Sequence, residues 1–369
     1  MPQKCVHLII DSYVRFSLQN LIGSNTGHKI FIVKEKQYYD IQKNEVSDEI
    51  LWKHINEAEV IFAHFLNEHI ASFINNLDEP KKIVWFCWGQ DLYDLGRFRN
   101  DFLLQKTRKA YYKTGLTNLN QLKNILQKAL GRFNDFLPPN RSVLKAIQKA
   151  HVIVPVVQGD YDNLKAKYPI DAEVFNVNYV NNVFFKQPEV DSTQPRKNIL
   201  VGNSASFTNN HIEAIDLLSN FSLNDLSVYI PLTYGKEKYA QLIKEYAFKK
   251  LHDQAQIIEN RLPLDDYMSI FSNCRSVIMN HCRQQAMGNI LLAFWFETTL
   301  FLNPKADHYK DLSQKGFKIL NVSDFNPELE LSNQEKKQNK DLLIKWFGPN
   351  YLQSQFNKLL QKIKDIDPN

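Results

Sequence analysis

The chain has few cysteines and contains no segment with the pattern of a membrane span or a metal motif. Its four cysteines are scattered and form no CxxC pair, so we interpret them as reduced thiols of a cytosolic protein. No run of 18 apolar residues occurs, and the apolar residues near the N-terminus reach Asp11 too soon for a signal peptide. The ten histidines form no HExxH or HxH group, so we predict no obligatory metal. The cysteines are Cys5, Cys87, Cys274 and Cys282.

The length and composition favour two domains. With 369 residues, of which 44% are hydrophobic, the chain can bury two substantial cores. Twelve glycines and fourteen prolines argue against low-complexity sequence. The net charge of +5 is modest and does not by itself indicate a nucleic-acid-binding protein.

Short apolar segments alternate with helical patterns, which is typical of parallel sheets with helices on both faces. The polar segment 186–196 has two prolines and no period, and so predicts a linker. We therefore predict two Rossmann-like doubly wound α/β domains, residues 1–188 and 197–348, with a ligand cleft between them. The predicted strands are 6–10, 29–33, 60–64, 83–88, 152–157, 198–202, 226–230, 255–258, 276–279 and 300–302. The predicted helices are 46–56, 68–76, 141–149, 210–219, 236–248, 264–272, 288–296 and 342–346.

A small polar turn, Gly202-Asn203-Ser204, follows the apolar strand 198–202 and precedes a helical pattern. Such a turn presents backbone amides and small donors at a strand end, where the helix dipole also favours an anion. We interpret it as a phosphate-binding turn. The alternative is an ordinary βα loop in which Thr208 or Asn209 caps the helix.

A second candidate anion-binding turn follows strand 276–279. Arg283 is a natural partner of a pyrophosphate, and Gln284 and Gln285 can bond sugar hydroxyls or an amide. Gly288 lets a ligand approach the backbone closely. Two such turns in one domain favour a phosphorylated ligand more strongly than either turn alone.

Two residues at predicted strand ends are candidates for a general base. Asp91 follows an aromatic-rich strand whose neighbours Trp85, Phe86 and Trp88 would raise its pKa by desolvation, and it could instead cap the next helix. His64 ends the strand 60–64 and is the competing base, or else a structural core histidine.

Asp160 and Asp162 have the spacing of a metal-binding DxD pair. They follow a glycine and open a helical pattern, so we interpret them as helix-capping residues.

A basic segment covers residues 97–132, with nine cations and one acid. Its local charge of +8 exceeds the chain's +5, so the rest of the chain carries about −3. Apolar residues interleave with the cations through residue 133 at roughly helical spacing, which favours a helix attracted to anionic lipid. The alternative is a solvated helical face packed on the domain, and no stacking module indicates nucleic acid. The predicted membrane-contact residues are Arg97, Arg99, Lys106, Arg108, Lys109 and Lys113.

Several blocks of the sequence resemble a known family, the bacterial 4-acetamido-4,6-dideoxy-D-galactose (Fuc4NAc) transferases of glycosyltransferase family fifty-six, which act in enterobacterial common antigen synthesis. These blocks keep their order from about residue 60 to the C-terminus. They are Trp88-Gly-Gln-Asp-Leu-Tyr93, Ile199-Leu-Val-Gly-Asn-Ser204 with Asn209 and His211, Leu264-Asp-Asp-Tyr267, Arg283-Gln-Gln285 with Gly288, and Pro349-Asn-Tyr-Leu-Gln353.

The resemblance implies a GT-B fold whose first domain binds the acceptor and whose second domain binds the donor, with a C-terminal helix, residues 349–369, that returns to the first. It implies an inverting, metal-independent transfer from dTDP-Fuc4NAc to an undecaprenyl-pyrophosphate-linked saccharide. The enzyme would act in the cytoplasm, peripherally on the inner face of the cytoplasmic membrane. The donor-binding residues would be Gly202, Asn203, Ser204, Asn209, Tyr234, Asp265, Tyr267, Arg283, Gln284, Gln285, Gly288 and Asn289.

Two other functions fit the same architecture. A sugar-nucleotide epimerase would need no lipid acceptor and would leave the basic segment without a role. A non-catalytic, membrane-associated scaffold could retain a nucleotide-sugar site.

Overall fold

The computed structural model describes residues 3–10, 18, 21–22, 27–35, 37–95, 102–114, 140–177 and 196–368. The chain forms two compact units. The first comprises Met1–Arg99, Asp135–Asn182 and Trp346–Asn369, and the second comprises Asn100–Asn134 and Val183–Lys345. The predicted linker 186–196 lies outside the described residues except for Arg196.

The first unit is built on an eight-stranded sheet. Its strands are β1 (Cys5–Ile9), β2 (His28–Lys34), β3 (Gln37–Tyr39), β4 (Glu45–Val46), β5 (Val60–His64), β6 (Lys82–Phe86), β7 (Val152–Val154) and β8 (Glu173–Val174). They lie in the order β4-β3-β2-β1-β5-β6-β7-β8 and are parallel, except that β3 pairs antiparallel with both β2 and β4. All five residues of β1 and of β5 are buried, as expected for central strands covered on both faces.

The helices of the first unit include one from the far C-terminal end of the chain. They are α1 (Asp48–Glu57), α2 (Glu68–Asn75), α3 (Gln90–Tyr93), α5 (Arg141–Gln148), α6 (Gln158–Lys167) and α13 (Pro349–Lys364), counted in chain order with those of the second unit. Helix α13 buries Leu352, Phe356, Leu359 and Ile363 in one core cluster with residues of β5, β6 and β7. Complete burial of such a side chain contributes about 1.5–3 kcal/mol, so α13 is an integral part of the first unit.

The second unit contains a six-stranded, wholly parallel sheet. Its strands are β9 (Asn198–Val201), β10 (Ser227–Pro231), β11 (Ala255–Ile258), β12 (Cys274–Met279), β13 (Thr299–Leu302) and β14 (Leu320–Asn321), in the order β11-β10-β9-β12-β13-β14. Its helices are α4 (Gln105–Thr114), α7 (His211–Leu218), α8 (Glu237–Leu251), α9 (Leu264–Ser272), α10 (Met287–Trp295), α11 (Asp307–Gln314) and α12 (Asn333–Phe347), of which α12 ends two residues into the first unit.

Helix α4 belongs to the second unit, although the division at residue 188 assigns its sequence to the N-terminal domain. Its backbone N–H groups at Lys106 and Thr107 donate to the Glu213 carboxylate of α7 at 2.7 and 3.0 Å. Ala110 of α4 lies in the core cluster of this unit. Helix α4 lies about 100 residues before α7 in the chain, so the local sequence of α4 does not indicate which unit it packs on.

Candidate functional sites

The turn that follows β9 is held in its shape by a backbone conformation and by buried side chains. Gly202 has φ +69° and donates its N–H to the Ile278 carbonyl of β12 at 3.0 Å. Asn209 accepts the Asn203 N–H at its Oδ1 at 2.9 Å and donates from Nδ2 to the Ser204 carbonyl at 2.9 Å. Asn209 therefore fixes the turn. The alternative prediction made Thr208 or Asn209 the cap of the helix, but the N-cap position of α7 is Asn210.

Side chains from three loops meet above this turn. The Asn203 amide donates to the Tyr234 hydroxyl at 2.7 Å and accepts from Gln285 Nε2 at 3.0 Å. Gln285 in turn accepts a hydrogen bond from the Thr208 hydroxyl at 2.5 Å. Tyr234, whose side chain also bonds that of Ser204, is 62% exposed. The loops after β9, β10 and β12 thus present a connected set of polar groups at the carboxyl-terminal edge of the second sheet.

Arg283 supplies positive charge at this edge. Its charge acts to lower the pKa of the nearby Tyr234 phenol, against the rise that burial causes. Arg283 Nη1 also donates to the Gln284 carbonyl at 2.9 Å. Tyr267 of α9 is hydrogen-bonded to Asn289 of α10. Burial raises the pKa of the Tyr267 phenol, so it remains a neutral hydrogen-bonding group.

Three of the predicted donor-binding residues take no part in the polar network over the Gly202 turn. Asp265 is exposed in the first turn of α9, with no hydrogen bond or ion pair to the other predicted residues among those described. A Cβ added to Gly288 would meet nothing within 4 Å, so contacts within the protein do not require this glycine. Gln284 is 4% exposed, and its Oε1 finds no hydrogen-bond partner among the described residues.

Three buried histidines lie behind the same turn, and none of them is among the predicted site residues. His211 Nδ1 is 3.2 Å from the Tyr239 hydroxyl, and His281 Nε2 is 2.8 Å from Asn209 Oδ1. The rings of His281 and His308 are 6.4 Å apart. In the described part of the chain, His211 Nε2, His281 Nδ1 and both nitrogens of His308 have no hydrogen-bond partner. In the sequence, His211 belongs to one of the blocks that resemble the family, whereas His281 and His308 are marked only by their positions after predicted strands.

In the first unit, Asp91 is saturated with hydrogen bonds. Its Oδ2 accepts the Leu66 N–H at 3.0 Å and the Trp85 indole N–H at 2.8 Å, while its Oδ1 accepts the Trp88 N–H at 2.9 Å. The Cys87 thiol lies 3.8 Å from the same Oδ1. Burial raises the pKa of the Asp91 carboxyl, and these hydrogen bonds oppose the rise. Such a carboxylate holds three segments of the unit together.

His64 is the last residue of β5 and is fully buried. Its Nε2 lies 2.9 Å from Nδ1 of His7, and its ring stacks on Phe86 with the centroids 4.6 Å apart. Burial lowers the pKa of His64 to about 3, so its imidazole is neutral near pH 7. The neutral ring carries one N–H and one acceptor nitrogen.

Asp160 caps α6, since its carboxylate accepts the Val157 N–H at 3.4 Å and a hydrogen bond from the Tyr93 hydroxyl. Asp162 accepts from Gln158 Nε2 at 2.9 Å. In the described part of the chain, no group of three or more His, Cys, Asp or Glu residues is arranged to hold a metal ion.

The basic residues of α4 are exposed, while Ala110 of the same helix is buried in the core cluster of the second unit. Leu103 and Ala110 are 3% and 8% exposed. Lys106 forms an ion pair with Asp216, whereas Lys109 and Lys113 are exposed. Tyr111 of the same helix is 37% exposed, and residues 115–133, which carry the rest of the predicted amphipathic pattern, lie outside the described residues. Arg97 and Arg99 lie outside the described residues. No helix within the described ranges is long and apolar enough to cross a membrane.

Solved structures share this architecture along the whole chain. A UDP-forming α,α-trehalose-phosphate synthase from Burkholderia xenovorans matches with a TM-score of 0.58 and 10% identity, over 99% of both chains. A trehalose-6-phosphate protein from E. coli bound with UDP-2-fluoro glucose matches with a TM-score of 0.59 and 9% identity, over all of both chains. At such identities the likeness defines the fold alone. The chain has the GT-B fold of nucleotide-sugar glycosyltransferases, as the sequence resemblance implied.

The family follows from the sequence itself. The model described as 4-alpha-L-fucosyltransferase glycosyl transferase group 56 matches residues 143–365, and the chain belongs to this family. The matched range includes the turn at Gly202, the Arg283 segment and helix α13. The protein is therefore an enzyme, a nucleotide-sugar-dependent glycosyltransferase, and the family predicted from the sequence is confirmed.

Proposed function

We propose that the enzyme transfers Fuc4NAc, or a related deoxy-amino sugar, from a dTDP-sugar to a polyprenyl-pyrophosphate-linked saccharide in surface polysaccharide synthesis. The transfer inverts the anomeric configuration and uses no metal ion. The enzyme works peripherally at the inner face of the cytoplasmic membrane. Family membership favours this transferase over an epimerase or a non-catalytic scaffold.

The observation that carries the proposal is the polar network over the Gly202 turn. Asn203 joins Tyr234 to Gln285, and Arg283 lies beside Tyr234. In the proposed complex, the turn and Arg283 hold the diphosphate and stabilise the negative charge that develops on the leaving nucleotide. This assigns to Arg283 the charge that a metal ion supplies in other transferases.

The remaining donor residues are assigned by their positions around this network. Tyr234 is exposed and lines the nucleotide. Tyr267 lies close enough to Tyr234 for the two side chains to interact electrostatically, and it lines the nucleotide as well. Gln285 and Asn289 contact the sugar. The description of the family names a fucosyltransferase, which handles a 6-deoxy sugar, and Fuc4NAc also lacks the 6-hydroxyl. This shared chemistry supports the choice of donor.

His64 acts as the general base that deprotonates the acceptor hydroxyl. It ends a strand at the carboxyl-terminal edge of the first sheet, where doubly wound sheets bind ligands. Asp91 lies at the same edge, but its carboxylate already accepts three N–H donors. Protonation of Asp91 would weaken these contacts, which hold three segments of the unit together, and this favours His64 over Asp91 as the base.

Nucleotide binding by the full chain tests the donor assignment. A ligand at 100 times its Kd stabilises the folded protein by about 2.7 kcal/mol. We therefore expect dTDP and dTDP-sugars, as the proposed donors, to raise the melting temperature more than UDP does at the same concentration. We expect R283A to weaken dTDP binding roughly 10- to 100-fold, as one or two charge-assisted hydrogen bonds are lost.

Arg275 offers a matched control for Arg283. It lies in β12 of the same unit and pairs with Glu330 at 2.7 Å, so R275A removes a guanidinium and leaves the turn intact. If no nucleotide changes the melting temperature of the wild-type chain, or if R275A weakens binding as much as R283A does, the donor assignment is wrong.

A further inference from the structure

Helix α4 is attached to the start of α7 by polar contacts. The Leu104 N–H donates to Asn210 Oδ1 at 2.8 Å, and Asn210 Nδ2 donates to the Phe102 carbonyl at 3.0 Å. The Thr107 hydroxyl donates to Glu213 at 2.5 Å, in addition to the two backbone N–H groups of α4 that donate to the same carboxylate. Asn210 and Glu213 therefore hold the N-terminal end of α4 in place.

Asn210 also joins the two loops that carry the predicted diphosphate-binding residues. It directly follows Asn209, which fixes the turn at Gly202, and its Nδ2 donates to the Asn280 carbonyl of the loop after β12 at 3.0 Å. Its backbone has φ 50° and ψ 43°, in the left-handed region, and its side chain is fully buried. A single side chain thus contacts the segment that leads into α4, the loop after β9 and the loop after β12.

Aromatic rings form a second contact between α4 and the donor turn. The Tyr111 ring of α4 meets the Phe207 ring edge-on, with the centroids 4.9 Å apart. Phe207 lies between Ser204 and Asn209 in the chain, and its ring packs on Tyr239 with the centroids 4.0 Å apart. A displacement of α4 therefore reaches the residues of the turn both through Asn210 and through Phe207.

The outer face of α4 is cationic. Residues 102–114 contain four cations and no acid, and Lys106 is the only one of the four with an ion pair among the described residues. Lys109 and Lys113 are exposed, and Tyr111 between them is 37% exposed. Cations that flank a tyrosine suit a surface of anionic lipid headgroups, because the amphipathic tyrosine ring is favoured at the boundary between lipid and water. The four cations are Lys106, Arg108, Lys109 and Lys113.

We propose that the exposed face of α4 binds anionic lipid, and that this binding is coupled to nucleotide binding at the Gly202 turn through Asn210 and the contact of Tyr111 with Phe207. The coupling rests on the proposed function, in which the turn holds the diphosphate of the donor and the enzyme works at a membrane. Each ligand tightens the binding of the other. The turn then holds a nucleotide best when the enzyme lies on the surface that carries its lipid-linked acceptor.

The coupling arises because both ligands order the same contacts. A nucleotide needs the turn and the Arg283 loop at a fixed separation, which the hydrogen bond from Asn210 to the Asn280 carbonyl sets. Lipid bound to α4 restrains the same Asn210 side chain through its contacts with Phe102 and Leu104. The ligand that binds first bears the loss of conformational entropy, so the second binds more tightly. Linkage requires the two enhancements to be equal.

Direct electrostatics predicts the opposite sign. The nucleotide diphosphate and the lipid surface are both anionic, so they repel each other, and each would weaken the binding of the other. Salt screens this repulsion, with a Debye length of about 8 Å at physiological ionic strength. Salt does not screen the shared contacts of Asn210 in this way. The sign of the effect therefore distinguishes coupling through the protein from simple repulsion.

Nucleotide affinity measured on vesicles tests the coupling. The full chain is bound to vesicles of equal parts phosphatidylcholine and phosphatidylglycerol at physiological ionic strength, and the Kd of dTDP is measured by equilibrium dialysis. We expect this Kd to be roughly 5- to 20-fold lower than without vesicles, within the range usual for coupled sites. Vesicles of phosphatidylcholine alone should leave it unchanged. Saturating dTDP should lower the lipid concentration for half-maximal binding by the same factor.

Two variants separate the coupling from lipid binding. N210G keeps the left-handed backbone but lacks the amide, so it should abolish the effect of vesicles on the Kd of dTDP. Y111A keeps every cation, so it should reduce this effect while it binds anionic vesicles as the wild type does. F248A is the control, because it removes an exposed aromatic side chain from α8 of the same unit and should leave the effect at its wild-type size.

Hydrogen exchange gives a second readout that needs no nucleotide. Anionic vesicles should slow exchange in peptides covering residues 202–209, where the Asn203 N–H donates to Asn209. Y111A should show less of this protection than the wild type. Unchanged exchange in these peptides when the wild type is bound to vesicles would contradict the coupling.

The outcomes distinguish the coupling from the function on which it rests. A Kd of dTDP that is unchanged or higher on anionic vesicles overturns the coupling, as does an undiminished effect in both N210G and Y111A. No binding of dTDP under any condition overturns the donor assignment, and no binding to anionic vesicles overturns the membrane assignment. Equal tightening by poly(U) RNA in place of vesicles would assign the face of α4 to nucleic acid and overturn lipid as its partner.

Discussion

The Nε2 atom of His211 occupies the space beside Gly202 that a side chain would fill, because a Cβ on Gly202 would lie 2.5 Å from it. The same Cβ would lie 2.8 Å from Asn209 Oδ1, which holds the Asn203 N–H. Gly202 also has φ +69°, in the left-handed region that side chains disfavour. The donor turn therefore depends on the absence of a side chain at this position.

Alanine at Gly202 should disrupt the turn and with it nucleotide binding. We expect G202A to bind dTDP at least tenfold more weakly, with a lowered melting temperature, as measured by calorimetry and thermal unfolding. G288A is the matched control, because its Cβ would meet nothing within 4 Å. If G288A also loses affinity for dTDP-sugar, a ligand approaches that glycine closely. Unchanged binding in G202A would contradict the assignment of the turn.

Replacement of Asp91 should affect stability more than chemistry. In D91N, one of the two carboxylate oxygens becomes an NH₂ group that faces N–H donors, which costs about 3 kcal/mol or more. We expect urea unfolding to show this loss, while the folded D91N protein keeps its single-turnover rate within about threefold, a difference of roughly 0.6 kcal/mol. Normal stability combined with a 100-fold slower transfer would identify Asp91 as the base.

Acid should destabilise the protein well above the pH at which carboxylates titrate. Five buried histidines and the partly buried His28 have pKa values lowered below the ordinary 6.5. The unfolded chain binds protons at these sites first, so stability is full above about pH 6.5 and falls as the pH drops towards the lower folded values, which are about 3 for His64 and about 4 for His28. These residues are His7, His28, His64, His211, His281 and His308.

The slope of stability against pH measures this effect. Each such histidine changes the free energy of unfolding by up to about 1.4 kcal/mol per pH unit. Three of them together change it by up to about 4 kcal/mol per pH unit. Urea unfolding between pH 7 and 5 should show the decline, and H308Q should reduce the slope by one histidine's share. The raised pKa of Asp91 acts in the opposite sense at lower pH. A flat profile over this range would mean that the histidines are not held neutral.

Membrane association, if it involves α4, should be electrostatic. Lys109 and Lys113 are exposed, whereas Ala110 of this helix is buried in the core cluster of the second unit. We expect K109E/K113E to reduce binding to vesicles containing anionic lipid, and added salt to release the wild-type protein. K53E/K337E changes the net charge equally on two other exposed lysines and should bind nearly as well. Equal binding of the wild type to neutral vesicles would contradict this assignment.

The central strands could be predicted from sequence because each is a short apolar run. Residues 60–64 match the central strand β5 at both ends, and residues 255–258 and 264–272 match the edge strand β11 and helix α9. The edge strand β4 and its neighbour β3 were not predicted, since Gln37–Tyr39 and Glu45–Val46 are short, half-exposed and lack an apolar run. Helix α12 extends nine residues earlier than the predicted 342–346, because its exposed first turns are polar.

The candidate site could be predicted only in part. Small residues and a cation after a strand predict an anion site, and the structure brings Asn203, Tyr234 and Gln285 into one network. A single sequence does not indicate that His7, His28 and His64 are neighbours, because their contact depends on strand order and register. The sequence predicts Asp91 as a candidate base, whereas the three N–H groups that donate to its carboxylate are evident only from the structure.

Transfer of labelled sugar tests the account most directly. Purified protein is incubated with dTDP-[¹⁴C]Fuc4NAc and a polyprenyl-pyrophosphate-linked saccharide in detergent, with EDTA present, and the anomeric configuration of the lipid product is determined by NMR. We predict labelled lipid of inverted configuration, formed equally well with and without EDTA, and little product from R283A or H64Q. Retained configuration, a requirement for divalent metal, or consumption of the donor without the lipid acceptor would contradict the proposed reaction.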